Sequence, residues 1–187
     1  MGVAEEARKI ALHEIEEYGA PSLMNFELSE KKAVELAKKL KANMEIVKTG
    51  VYLMDLKLGQ AMQEDRIKEH IQMSVEAAKQ FLDKQNFSSE DKVKILNCVE
   101  AHHGTIPFSC MEAEICANAD CYRFIHPIGF FGFIADLGKR GMEFEEIINY
   151  AEEKLEEKHK ILSLVVCKEE LEPYYRELKK LLKDSKK

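Results

Sequence analysis

Two aspartates and three histidines carry most of the chemistry available to this sequence: Asp55, His70, the adjacent pair His102 and His103, and Asp120. Each falls on the apolar stripe of a helical segment. Asp55 lies four residues after Val51, in a stripe with Val47 and Leu58. His70 lies three after Ile67, in a stripe with Ile71, Ser74 and Ala78. His102 and His103 follow Val99 at three and four residues, and Asp120 falls between Ala117 and Phe124 on a face begun by Ala113. Residues three and four apart share one face of a helix. Four successive segments therefore turn an ionisable side chain toward one interior. A buried carboxylate or imidazolium without a partner costs several kcal/mol. A shared cation would neutralise the carboxylates and accept the neutral imidazole lone pairs. Taken singly, each residue has a plainer reading: a hydrogen-bonded core histidine, or an aspartate in a salt bridge between helices. Taken together, one metal site accounts for all of them.

The elements that must position these residues read as helices almost throughout. The spacing predicts helices from Ala4 to Tyr18, stopped by Gly19 and Pro21, and from Ser29 to Leu40. A third starts after Asn43, a good N-cap, and runs to about Leu58; a fourth covers Arg66 to Phe81. Ser88 and Ser89 cap a fifth that ends near His103 and Gly104. Ser109 with Glu112 forms a capping-box pattern that opens a sixth, running to Phe124. After the break at His126 to Gly129, a short apolar helix (Phe130 to Leu137) precedes two long charged ones, Glu143 to Leu162 and Lys168 to Lys183. The segment Ile161 to Val166 is the one candidate for extended structure, and the tail from Lys183 to Lys187 is expected to fray. The fold expected is all-α: a single helical domain over 1–187, with a core at about 28–140 and a C-terminal helical extension at about 143–183.

Composition excludes several function classes. The chain has 187 residues, 45% of them hydrophobic, enough for one packed core. Its formal net charge of -6 argues against a nucleic-acid backbone or an anionic membrane as the main partner. The N-terminus is charged and amphipathic, unlike a signal peptide, and Met1-Gly2 lacks the Ser or Thr that myristoylation wants at position 6, where Glu6 stands. Five cysteines form no C-x-x-C pair, so a reducing cytoplasm is the simplest setting. Of the other histidines, His13 and His159 read as exposed and His126 as a turn residue.

The order Asp55, His70, His102-His103, Asp120 resembles the HD superfamily of metal-dependent phosphohydrolases. Val51 to Asp55 sits where that family's His-Asp pair ends an apolar helix. Glu69-His70 and Val99 to His103 are similar to the additional His and the His-His step of two-metal members. Glu112-Ala113-Glu114-Ile115, leading to Asn118-Ala119-Asp120, resembles the family's Glu-Ala lead-in and final Ala-Asp. The likeness covers roughly Leu28 to Phe124. Two positions depart from it: Met54 stands for the His of the His-Asp pair, and no His is found near Ser29, where an early one belongs. The resemblance implies a helical bundle that has kept one metal site, formed by Asp55, His70, His102 and His103, and lost the other.

Three imidazoles and a carboxylate suit one divalent transition-metal ion (Fe, Mn, Ni, Co or Zn) better than Mg or Ca. Such an ion acts as a Lewis acid or lowers the pKa of a bound water toward ~7. Asp120 would then be a fifth ligand, a general base or an acceptor behind the ligands; Glu112 is the second catalytic candidate, and Glu112 and Glu114 could orient ligands. Lys57, Arg66 and Arg123 are candidate phosphate-holding cations, with surface salt bridges as their alternative role. The implied function is hydrolysis of a phosphate ester, such as a nucleotide or another small phosphorylated metabolite. The competing reading is a catalytically degenerate module that binds metal or nucleotide, favoured by Met54. The long C-terminal helices offer either a homodimer surface or a solvated face.

Overall fold

The computed structural model describes residues 2–186. Met1 and Lys187, the outer ends of the N-terminal dipeptide and of the C-terminal tail, lie outside the described residues. The helices are α1 (Val3–Tyr18), α2 (Leu23–Leu40), α3 (Met44–Leu53), α4 (Leu58–Gln63), α5 (His70–Asp83), α6 (Ser89–Ala101), α7 (Met111–Ile125), α8 (Pro127–Lys139), α9 (Phe144–Ile161) and α10 (Val165–Asp184), with a 3-10 turn at Ile67–Glu69. No strand occurs among the described residues, and no helix among them is long and apolar enough to cross a membrane.

The axis of the molecule is α7. Twelve of its 15 residues are buried, including Asp120 and Arg123, so it is enclosed on all sides. Its many small residues (Ala113, Cys116, Ala117, Ala119, Cys121) let α2, α3, α6, α8, α9 and α10 pack directly against it. Crossing α3 against α6 requires Gly50: a Cβ there would lie 2.5 Å from Cys98 Cβ. That contact joins the helix leading to Asp55 with the helix leading to His102.

Several helix ends differ from the sequence expectation, each for a local reason. α2 begins six residues before Ser29, because Asn25 and Phe26 are drawn into the core and Ser22 can start the helix. α3 stops at Leu53; a turn carries Met54 and Asp55, and a separate α4 follows. The Ser109 capping box does not form: Cys110 is the N-cap of α7, and Glu112 reaches instead to the backbone N–H of Asn43 at 2.9 Å. The expected extended segment at Ile161 to Val166 is a tight corner between α9 and α10. Asn118 holds it, accepting from Ser163 N and Leu164 N at 3.1 and 3.2 Å while donating to Ser163 Oγ. Gly19 ends α1 in the left-handed conformation (φ 71°), as its C-cap pattern predicts.

Candidate metal centre

Asp55, His70, His102 and His103 converge, with one potential donor atom from each lying within 4.8 Å of all the others. Helix ends bring them there. Asp55 leaves the C-terminus of α3, His70 opens α5, and His102 and His103 follow the last turn of α6. Their backbones fix the rings. His70 Nδ1 donates to Ile67 O at 2.6 Å, and His102 Nδ1 donates to Val99 O at 2.7 Å. His103 points Nδ1 at Glu157 Oε1, 3.2 Å away. With each Nδ1 so engaged, the Nε2 atoms are left as lone pairs aimed inward.

Those lone pairs face other acceptors. His70 Nε2 is 3.4 Å from His103 Nε2. Asp55 Oδ1 is 3.3 Å from His102 Nε2 and 3.9 Å from His70 Nε2. His102 is fully buried and its Nε2 has no hydrogen-bond partner. Burial lowers the pKa of His70, and it pushes His103 down to about 4 against the pull of Glu157. Both rings are therefore neutral near pH 7, the form a metal ion needs. Burial favours protonation of Asp55, but the Arg123 guanidinium, followed by the His102 ring, holds its carboxyl well below the ordinary range. A carboxylate and neutral imidazoles presenting lone pairs to one point suit a divalent transition metal.

Behind the donors, charges of alternating sign run around the wall. Arg123 Nη1 donates to Asp55 Oδ2 and, at 2.7 Å, to Asp120 Oδ1. Lys158 Nζ lies 2.7 Å from Asp120 Oδ2 and 3.6 Å from Glu157 Oε1; Lys154 pairs with Glu157 Oε2 at 2.6 Å. Glu157 then reaches His103, so the circuit starts at one proposed ligand and ends at another. Burial opposes ionisation of Asp120, yet Lys158 and Arg123 bring its pKa down to about 2. Glu157 is likewise lowered, mainly by His103 and Lys154 against burial. Burial also works against the charge on Lys158, but Asp120 more than offsets it and the pKa rises.

The centre opens on a cavity of about 210 Å³. Asp55, His70, His103, Asp120, Arg123 and Lys158 form its polar wall. Phe124, Phe133, Leu58, Leu137, Met62 and Tyr150 supply the apolar part of its lining. A separate void of about 20 Å³, bordered by Ser29, Met54, Asp55 and Arg123, has room for about one water. No imidazole borders it, and its oxygen-bearing side chains are Glu14, Ser29, Tyr52 and Asp55.

The sequence-derived candidates thus separate. Asp55, His70, His102 and His103 meet. Asp120 lines the same cavity but stands outside the donor cluster, with both oxygens held by cations. Glu112 is not brought to the site; it caps the start of α3. Lys57 pairs with Glu14 at 2.7 Å, and Arg66 with Glu64 and Glu69 on the surface, so neither lines the cavity. Arg123 does line it. Lys154, Glu157 and Lys158 are not among the sequence candidates: Glu157 and Lys158 lie in the charge run Glu156 to Lys160, whose pattern reads as a solvated face. A signal existed: Lys158 follows Leu155 by three and Ala151 by seven, on the buried stripe of α9. Thus α9, expected as an extension packed on the core, supplies part of the wall.

No protein-family model matches the chain. Ribonuclease Y of Finegoldia magna is 32% identical over 92 residues, which make up 49% of this chain and 16% of that protein. Ribonuclease Y of Treponema denticola is 33% identical over 92 residues, with the same coverage. The chain therefore spans only a small part, 16%, of the length of these curated relatives. Among solved structures, a predicted HD superfamily hydrolase from an uncultured Thermotogales bacterium aligns with a TM-score of 0.60. That alignment covers 80% of this chain and 83% of the other, at 17% identity. The helical architecture is HD-like, as the order of aspartates and histidines implied.

Proposed function

We propose that this chain is a metal-dependent hydrolase of phosphate esters that works with one transition-metal ion held by Asp55, His70, His102 and His103. The observation that carries this reading is the convergence of acceptor lone pairs on one point, with His102 Nε2 buried and unpartnered. When bound, the ion would supply Lewis acidity at the wall of the cavity. The chain's own residues do the rest. Ile67 O and Val99 O keep the His70 and His102 rings in the tautomer that presents Nε2. With its pKa near 2, Asp120 is a weak base; its contribution is to hold Arg123 and Lys158 at the cavity. The apolar wall excludes water and seats the body of the ester.

The relatives' name speaks of RNA. For this chain, the net charge of -6 and a cavity of about 210 Å³ favour a small phosphorylated molecule over a polynucleotide. A second reading, a binding module without turnover, draws on the buried thioether of Met54 beside Asp55. Elemental analysis of purified protein tests the centre first, with about one equivalent of Fe, Mn, Ni, Co or Zn expected. Full occupancy in the His102→Ala, His103→Ala double variant would sink the assignment. Turnover of nucleotides and simple phosphomonoesters by the metal-loaded protein then decides between hydrolase and binding module.

A further inference from the structure

Lys158 is the least expected residue of the centre. Its side chain is 1% exposed, and a buried ammonium is expensive to maintain where an apolar residue would pack at lower cost. Asp120 Oδ2 forms an ion pair with its Nζ at 2.7 Å, Glu157 lies farther off at 3.6 Å, and no hydrogen-bond partner engages the buried ammonium. Lys158 also lines the cavity, so its Nζ keeps donor capacity for a ligand. Arg123 is placed similarly: its hydrogen bonds to Asp55 and Asp120 both run through Nη1, and it borders the same cavity. Two fixed positive charges therefore stand together, immediately behind the metal donors, at one wall.

Where hydrolysis of phosphate esters uses two metal ions, the second shares the charge of the phosphoryl oxygens. Here Met54 and Ser29 offer a second ion no imidazole, and the void beside them holds only about 20 Å³. Arg123 already occupies the free oxygen of Asp55, and Arg123 with Lys158 occupies both oxygens of Asp120. The carboxylates that could recruit a second cation are thus committed to side chains.

We propose that Arg123 and Lys158 stand in for a second metal ion and grip the phosphoryl oxygens of the ester between themselves and the single bound ion. This rests on the phosphohydrolase reading and adds to it the residues that bind the anion. Charge-assisted hydrogen bonds to phosphate are the strong ones, and Arg suits them by its planar fork.

Inorganic phosphate is the probe, titrated calorimetrically into the Mn(II)-loaded full chain while metal content is measured in parallel. The wild type is expected to hold one equivalent of Mn even with metal in excess, and to bind phosphate. Lys158→Met is expected to keep that equivalent and to weaken phosphate binding by about tenfold or more. Should Lys158→Met fail to fold, the Asp120→Asn, Lys158→Met pair removes the ammonium without leaving a buried charge alone, and carries the same expectation. Two equivalents on the wild type, no phosphate binding by the loaded wild type, or unchanged phosphate affinity in the folded variant would each overturn the proposal. A wild type that binds no transition metal would overturn the phosphohydrolase reading itself, which separates the two failures.

Discussion

Alanine at His102 removes an imidazole held by Val99 on one nitrogen and aimed at Asp55 with the other. Losing one of four donors is expected to weaken metal binding by more than the 10–100-fold typical of changes behind the ligands. Metal content after dialysis should fall from about one equivalent toward none; retention would contradict the donor assignment. Met54→His makes the opposite test, because it restores an imidazole next to Asp55. Arg123 already holds Asp55 there, so a second equivalent of metal is not expected. The new ring would instead leave polar atoms in a closed space, destabilising the fold by about 1–3 kcal/mol in urea unfolding. At this scale the four donors were legible because each polar residue interrupts an apolar stripe. Lys158 obeys the same rule, but the charges around it obscured the stripe. Glu112 misled because its spacing from Ser109 fits a local cap, whereas its partner is Asn43, distant in the chain.

Gly50 sets how closely two elements approach. In Gly50→Ala the added methyl would lie 2.5 Å from Cys98 Cβ and 2.8 Å from Cys98 Sγ, so α3 and α6 must separate. Overpacking of this kind typically costs about 1–3 kcal/mol. The same displacement moves Asp55 away from His102, so the urea midpoint and the metal affinity should fall together. A lowered midpoint with unchanged affinity would show that the crossing does not position the centre. Most helices were legible because their periodicity is local. The start of α2 was not, since Asn25 and Phe26 are buried by neighbours distant in sequence. Nor was the corner at Ser163, whose backbone depends on Asn118, 45 residues away.

Across the whole molecule, burial of ion pairs ties stability to pH. Asp120 has a folded pKa of about 2, below the ordinary value near 3.9. Its stabilising contribution is therefore complete above the ordinary value and is lost as the pH falls through the folded one. Metal-free protein should lose stability between about pH 4 and 2, as followed by urea unfolding. Asp120→Asn should flatten that dependence while lowering stability at pH 7, because Lys158 loses its nearer carboxylate. An unchanged slope would remove Asp120 from the acid response. Composition and periodicity sufficed to read an all-α chain with one interior. They did not show that α9 closes the wall of the centre, because that depends on how separate helices are stacked rather than on any one of them.

The circuit around the centre has three carboxylates, Asp55, Asp120 and Glu157, and three cations, Arg123, Lys158 and Lys154. These formal charges cancel, so a divalent ion bound there brings a surplus of two positive charges. Metal and phosphate should then be mutually dependent ligands. By linkage, the factor by which the ion tightens phosphate equals the factor by which phosphate tightens the ion. Phosphate should accordingly raise the EDTA concentration needed to strip the protein, and chelated protein should release phosphate. How fully the cavity is occupied would then follow the supply of metal as closely as the supply of ester.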